Sequence, residues 1–169
     1  MTGSLFAASQ RTVAPFRYDI VGSFLRSDAL KEARKRFAQG RITQRELRQV
    51  EDAEIAQLVA KQKALGLRVR AFTDGEYRRN WWHLDFLWNL DGVRKVAAEQ
   101  GSIAFKKRQT KAETIEIVSK VGFSGHPFIE DFKAVQTLAG DSPAKFTIPS
   151  PSMLHLITAV RNQQYKPLE

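Results

Sequence analysis

Strand-like runs alternate with segments that carry helix-start signals, and this alternation constrains the fold more than any other feature of the sequence. Arg17–Phe24 is apolar and β-branched and closes on Val21-Gly22-Ser23-Phe24. Ser27 or Asp28 then offers a helix N-cap, and Gly40 suits the C′ position of a helix running to about Gln39. Thr43-Gln44-Arg45-Glu46 has the spacing of a capping box, which predicts a second helix. Leu47, Val50, Ile55, Leu58, Val59 and Leu65 follow helical periodicity along it, and Gly66 stops it. Leu67–Phe72 returns as a strand, and Thr114–Val121 alternates like one. Phe128–Leu138 predicts a modest helix before Gly140, and Lys145–Ile148 a short strand entering Pro149-Ser150-Pro151. A last helix is expected over Ser152–Asn162. The stretch from Thr73 to Val93 reads as an aromatic-rich connection, and 94–120 is ambiguous, with Lys106-Lys107-Arg108 in an exposed hairpin or arm.

Strand and helix in alternation argue for a parallel sheet or barrel. A closed (β/α)8 barrel takes roughly 250 residues, whereas 169 residues supply about four βα units. The pattern therefore fits a small open α/β domain or a part of a larger barrel. Hydrophobic residues at 43% and charged residues at 27% are enough for a real core and argue against disorder. Residues 1–16 are expected to be a flexible lead-in without a secretory pattern. No apolar run approaches the ~18 residues of a membrane span, and the absence of cysteine excludes disulfides and thiolate metal ligands in this chain. A cytoplasmic setting is the expectation.

The net charge of +9 comes from 27 basic and 18 acidic residues, much of it between Arg26 and Arg48. It suits anionic partners, although a long helix also carries charge as a solvated face. No RNA-recognition or zinc-finger spacing accompanies it, so a basic RNA-associated protein is the last-ranked reading.

Ligands of parallel α/β folds gather on the loops after the strands. Gly22 would let a ligand reach the backbone, and Ser23 offers an N–H and a hydroxyl near a helix start, which suits a carboxylate or phosphate. A plain turn explains the pair as well. Asp74-Gly75-Glu76 could hold an amine, a metal or a proton, or could neutralise itself against Arg78 and Arg79. Trp81, Trp82, Phe86 and Trp88 around His83 could stack on a flat heterocycle or simply pack as core and lid. His83, His126 and His155 form no ligand pair.

Four stretches in order carry a family resemblance. They are Val21-Gly22-Ser23-Phe24, Gln62-Lys63-Ala64-Leu65-Gly66-Leu67, Gly75-Glu76-Tyr77-Arg78-Arg79-Asn80 with Phe86 beyond, and Lys145-Phe146-Thr147-Ile148-Pro149-Ser150-Pro151-Ser152-Met153-Leu154. Together they resemble the catalytic barrel of the cobalamin-independent methionine synthase family, particularly its short, single-barrel relatives. The resemblance implies that 17–169 is the N-terminal half of a TIM (β/α)8 barrel of the methionine synthase/uroporphyrinogen decarboxylase type, incomplete at its C-terminus. It implies transfer of a methyl group from methyltetrahydrofolate, or another donor, to homocysteine or a related thiol in methionine biosynthesis. Val21, Gly22 and Ser23 would then hold the amino-acid carboxylate and Glu76 its ammonium. Trp81, Ser124 and His126 mark a candidate methyl-donor region. The family activates the thiol on zinc through ligands in the second half of its barrel, so this chain would carry neither the metal ligands nor a catalytic residue. Its implied partners are a small amino acid, an anionic co-substrate, and either the missing half or a second copy. A truncated, non-catalytic half barrel acting through dimerisation or a partner chain is the alternative.

Overall fold

The hydroxyl of Ser27 sets where the first helix begins: its Oγ accepts the Leu30 N–H at 3.1 Å, and α1 (Asp28–Ala38) follows. In this computed structural model the described residues are 20–65, 71–97 and 113–157. Gly40, at φ 67°, closes α1 by donating to the Phe37 carbonyl. Replacing Ser27 by Ala strands the Leu30 N–H, and we expect a loss of about 1 kcal/mol in a urea unfolding curve.

α2 (Gln44–Ala64) starts on the expected capping box: Thr43 Oγ1 accepts the Glu46 N–H, and Glu46 Oε2 accepts the Thr43 N–H. Leu47, Ile55, Leu58 and Val59 are buried as the periodicity requires, whereas Leu65 at the end of the stripe is exposed. The other elements are α3 (Leu84–Leu87), β1 (Asp91–Ala97), β2 (Glu113–Gly122), α4 (Pro127–Ala139) and α5 (Ser152–Ile157). The α/β class holds, and both helices expected over 28–65 and the helix at 128–138 are present. The lead-in, Lys106-Lys107-Arg108 and the far end of the last helix lie outside the described residues.

The strands depart from expectation. Among the described residues, continuous strand pairing occurs only between β1 and β2, and it is antiparallel, with an irregularity between Asp91 and Val93. Thr114–Val121 is thus one arm of a hairpin, not a parallel barrel strand. The physical reason lies in its alternation, which marks a strand with one wet face, whereas parallel strands covered on both sides read as continuous apolar runs. The parallel part is thinner: Ser23 bridges Gly75, and Phe72 bridges Ala144. Among the described residues, segments 20–24, 72–75 and 144–147 pair as strands only through these isolated bridges, while the start of Arg17–Phe24 and most of Leu67–Phe72 lie outside the described residues.

Side chains and single main-chain bonds join these segments. Buried Gln62 of α2 bonds both backbone groups of Thr73, at 3.0 and 3.2 Å, as a neighbouring strand would. Thr73 Oγ1 in turn donates to the Gly22 carbonyl at 2.8 Å. Phe72 and Lys145 exchange a second link, Lys145 N to Phe72 O at 2.8 Å, and Lys145 Nζ donates to the Ile20 carbonyl at 2.6 Å. Under this layer Leu30, Ile55, Leu58, Val59, Phe72, Tyr77 and Ala139 form the main core. A second cluster of Leu84, Leu87 and Ile115 seats the hairpin on α3. Burying such side chains contributes roughly 1.5–3 kcal/mol each.

Candidate functional site

The turn after Phe72 is built on a backbone that an ordinary residue avoids. Gly75 has φ 68° and Glu76 has φ 58°, the one positive φ outside glycine among the described residues. The turn supports this locally: Asp74 Oδ1 accepts the Glu76 N–H at 3.0 Å, and Thr73 Oγ1 accepts the Gly75 N–H at 3.2 Å. Two arginines of the preceding chain secure it from outside. Arg26 Nη2 donates to the carbonyls of Glu76 at 3.2 Å and Arg79 at 2.6 Å. Arg34 donates to the carbonyls of Tyr77 and Arg79, to Asn80 Oδ1 and to buried Glu51. A left-handed non-glycine residue costs of order 1–3 kcal/mol and persists where its surroundings over-determine it. Here they do.

This turn brings Glu76 to the end of the first parallel segment. Ser23 and Glu76 line one cavity of about 430 Å³, together with Phe24, Leu25, Arg26, Asn80, Trp81 and Trp82. The Phe24 N–H donates to the Gly75 carbonyl at 3.1 Å, so main-chain bonding fixes the distance between the two loops. Ser23 is exposed to the cavity, and Glu76 is half-buried. On its inner side, Glu76 Oε1 accepts a hydrogen bond from Thr147 Oγ1 at 2.6 Å and lies 3.8 Å from Arg79 Nη1.

Arg79 itself is buried, with its guanidinium 4.5 Å from the centre of the Phe128 ring and 4.4 Å from that of Phe146. Burial lowers its affinity for its proton, an effect opposed by Asp74 and Glu76. Buried Asp74 is pushed the other way, above the usual carboxylate range, by loss of water, against the Glu76 N–H and Arg79. The anticipated ion-pair cluster is therefore divided. Arg79 faces Glu76, while Arg78 turns to Asp52 and Asp131 and links the turn to α2 and α4.

At Gly22 the absence of a side chain makes room for neighbouring side chains of the protein itself. A Cβ at this position would meet Thr147 Cγ2 at 2.7 Å, Thr147 Oγ1 at 2.9 Å and Glu76 Oε1 at 3.3 Å. The space belongs to the protein's own side chains. Val21 is 82% exposed and is not among the residues that line the cavity with Ser23. Trp81 lines that cavity, and its indole N–H donates to Glu113 Oε2 at 3.0 Å.

Ser124 and His126 lie elsewhere. Ser124 Oγ donates to Asp91 Oδ1. Buried His126 caps α4 by accepting the Phe128 N–H on Nδ1, so its Nε2 carries the proton that meets the Phe86 carbonyl at 2.9 Å. Both ring nitrogens are thereby committed to the fold.

Sequence reasoning missed three members of the site: Thr147, Arg26 and Asn80. Thr147 stood inside a recognised motif, but only the contact across 71 positions reveals its partner. As for metal, the described residues do not make a zinc site. The sequence has no cysteine, and among the described residues no three His, Asp or Glu side chains converge. No described helix is long and apolar enough to cross a membrane.

No family model matches the chain. Two uncharacterized proteins of Bacillus subtilis do: YxjG is 49% identical over 157 residues, which is 93% of this chain and 41% of YxjG. YxjH is 48% identical over 141 residues, 83% of this chain and 37% of YxjH. The chain thus spans about two fifths of the length of these curated relatives. Among solved structures, a Listeria monocytogenes protein provisionally named a vitamin-B12 independent methionine synthase is 44% identical. It superposes with a TM-score of 0.72 over 92% of this chain and 42% of its own. Over most of its length the chain is similar to this provisionally named synthase. A B12-independent methionine synthase from Shewanella sp. W3-18-1, solved in complex with selenomethionine, shares the fold at 20% identity. Its TM-score is 0.54, over 75% of this chain and 35% of that one.

Proposed function

We propose that residues 17–169 form the N-terminal part of a (β/α)8 barrel of the B12-independent methionine synthase type and supply its amino-acid half-site. In this reading the Ser23 N–H and hydroxyl take the carboxylate of homocysteine or a related thiol amino acid, and the Glu76 carboxylate takes its ammonium. The observation that supports it is the single cavity shared by Ser23 and Glu76. It offers a donor for the anionic pole and a charged acceptor for the cationic one, and charge-assisted hydrogen bonds of this kind are the strong ones.

The chain's own residues bind and orient; they do not activate the sulfur. Zinc is assigned to the remainder of the barrel, since the residues here do not fit it. The methyl donor, methyltetrahydrofolate or another anionic co-substrate, is placed on the Trp81 and Trp82 side of the cavity, where flat rings can stack. The net charge of +9 favours the approach of such an anion. The non-catalytic dimer is not favoured, because the likeness is to much longer proteins, one of them provisionally named a synthase. A cytoplasmic enzyme of methionine biosynthesis is the setting that fits this reading.

Titration calorimetry with L-methionine tests the half-site. Glu76→Gln keeps the volume and removes the charge, and binding should weaken roughly tenfold or more, the value of a hydrogen bond to a charged group. Equal affinity in the unaltered chain and Glu76→Gln would end the proposal.

A further inference from the structure

We propose that Thr147 is a positioning residue that assigns the two oxygens of Glu76 separate tasks; this rests on the amino-acid reading of the cavity. Thr147 Oγ1 has one proton, and it is given to Glu76 Oε1 at 2.6 Å. The same hydroxyl oxygen lies 3.4 Å from Arg79 Nη1, which aligns its lone pair toward the guanidinium. Arg79 has little freedom to leave, since Phe128 and Phe146 both pack against its guanidinium and it is 1% exposed. Oε1 is thus engaged on the protein side, whereas Oε2 has no hydrogen bond among the described residues and Glu76 borders the cavity.

The surroundings leave the carboxylate one orientation. Its main chain is fixed at φ 58° and its carbonyl is held by Arg26. The missing Cβ of Gly22 provides the room in which Thr147 stands. A carboxylate already bound at one oxygen loses less freedom when the other meets a ligand, and affinity gained in this way comes from pre-organisation and not from added contact. Thr147 touches no ligand in this scheme. It acts through Glu76.

The distinguishing measurement uses two probes, L-methionine and the analogue of methionine that lacks the amine. Thr147→Val keeps the branched shape beside Gly22 and removes the hydroxyl. It should lose about tenfold in affinity for L-methionine and hold its affinity for the amine-free analogue, while Thr147→Ser restores methionine binding to within about twofold. If Thr147→Val binds methionine as tightly as the unaltered chain, or weakens toward both probes alike, the assignment is overturned. An unaltered chain that does not prefer methionine over the analogue defeats the amino-acid reading itself. The link between the two side chains is then read without any ligand, from the thermal midpoints of Thr147→Val, Glu76→Gln and the double variant. Non-additive shifts support the pairing, and additive ones refute it.

Discussion

Replacing Arg34 by Met is expected to cost the fold about 3–5 kcal/mol, because it leaves a buried charge without its partner. Arg34 is the hub between α1 and the turn: it ion-pairs with Glu51 at 3.3 Å and serves the carbonyls of Tyr77 and Arg79. Glu51 is 4% exposed, and burial already raises its pKa, with Arg34 the largest opposing influence. The variant removes that opposition and raises it further. A carboxyl whose folded pKa lies above its unfolded value stabilises most when protonated, and the benefit is lost as pH rises through the folded pKa. The penalty of Arg34→Met should therefore be largest near about pH 7 and shrink toward about pH 5. Urea unfolding of both proteins at the two pH values checks this. Glu51→Gln added to Arg34→Met should recover part of the loss at neutral pH, and an unchanged penalty across pH would show that Glu51 is not its source.

Gly75→Ala should be nearly as costly, at about 2–4 kcal/mol from left-handed strain together with overpacking. The new Cβ would stand 2.5 Å from Leu58 Cδ2 and 2.9 Å from Tyr77 Cε1, both in the main core. Gly40→Ala supplies the control: its φ of 67° is similar, but nothing lies within 4 Å of the added carbon. It should cost about 1 kcal/mol, the backbone part alone. Because Gly75 carries the carbonyl that binds Phe24 N–H, Gly75→Ala should also weaken methionine binding, which Gly40→Ala should leave intact. Equal unfolding midpoints for the two variants would contradict this account.

Local chemistry was legible in the sequence. Thr43 and Glu46 announced α2, and the pair Ser27 and Asp28 announced α1, with Ser27 the residue that caps it, since a cap needs only residues three apart. The glycine and acid of the turn at 75–76 were also visible as punctuation. What could not be read was pairing at a distance. Thr114–Val121 alternates clearly, yet nothing in that run says that Asp91–Ala97 lies beside it, or in which direction. Gly22 shows the same limit: its need for a hydrogen in place of a methyl comes from Thr147, which no local pattern reveals. Arg78 and Arg79 are adjacent and chemically alike, but one joins helices and the other faces Glu76. Only the positive φ at Glu76 and the packing of Phe128 and Phe146 separate their roles.

The thinness of the parallel pairing has a kinetic consequence. The ties that gather segments 20–24, 72–75 and 144–147 span 51, 71 and 125 positions, and closing long loops costs entropy before any contact repays it. The neighbouring helices α1 and α2 can form early from nearby contacts, whereas the meeting of Thr147 with Glu76 is expected late. Amide hydrogens around 144–147 should consequently exchange with solvent sooner than those of α2, and the pocket should open by local release of that segment while the helical pair stays folded.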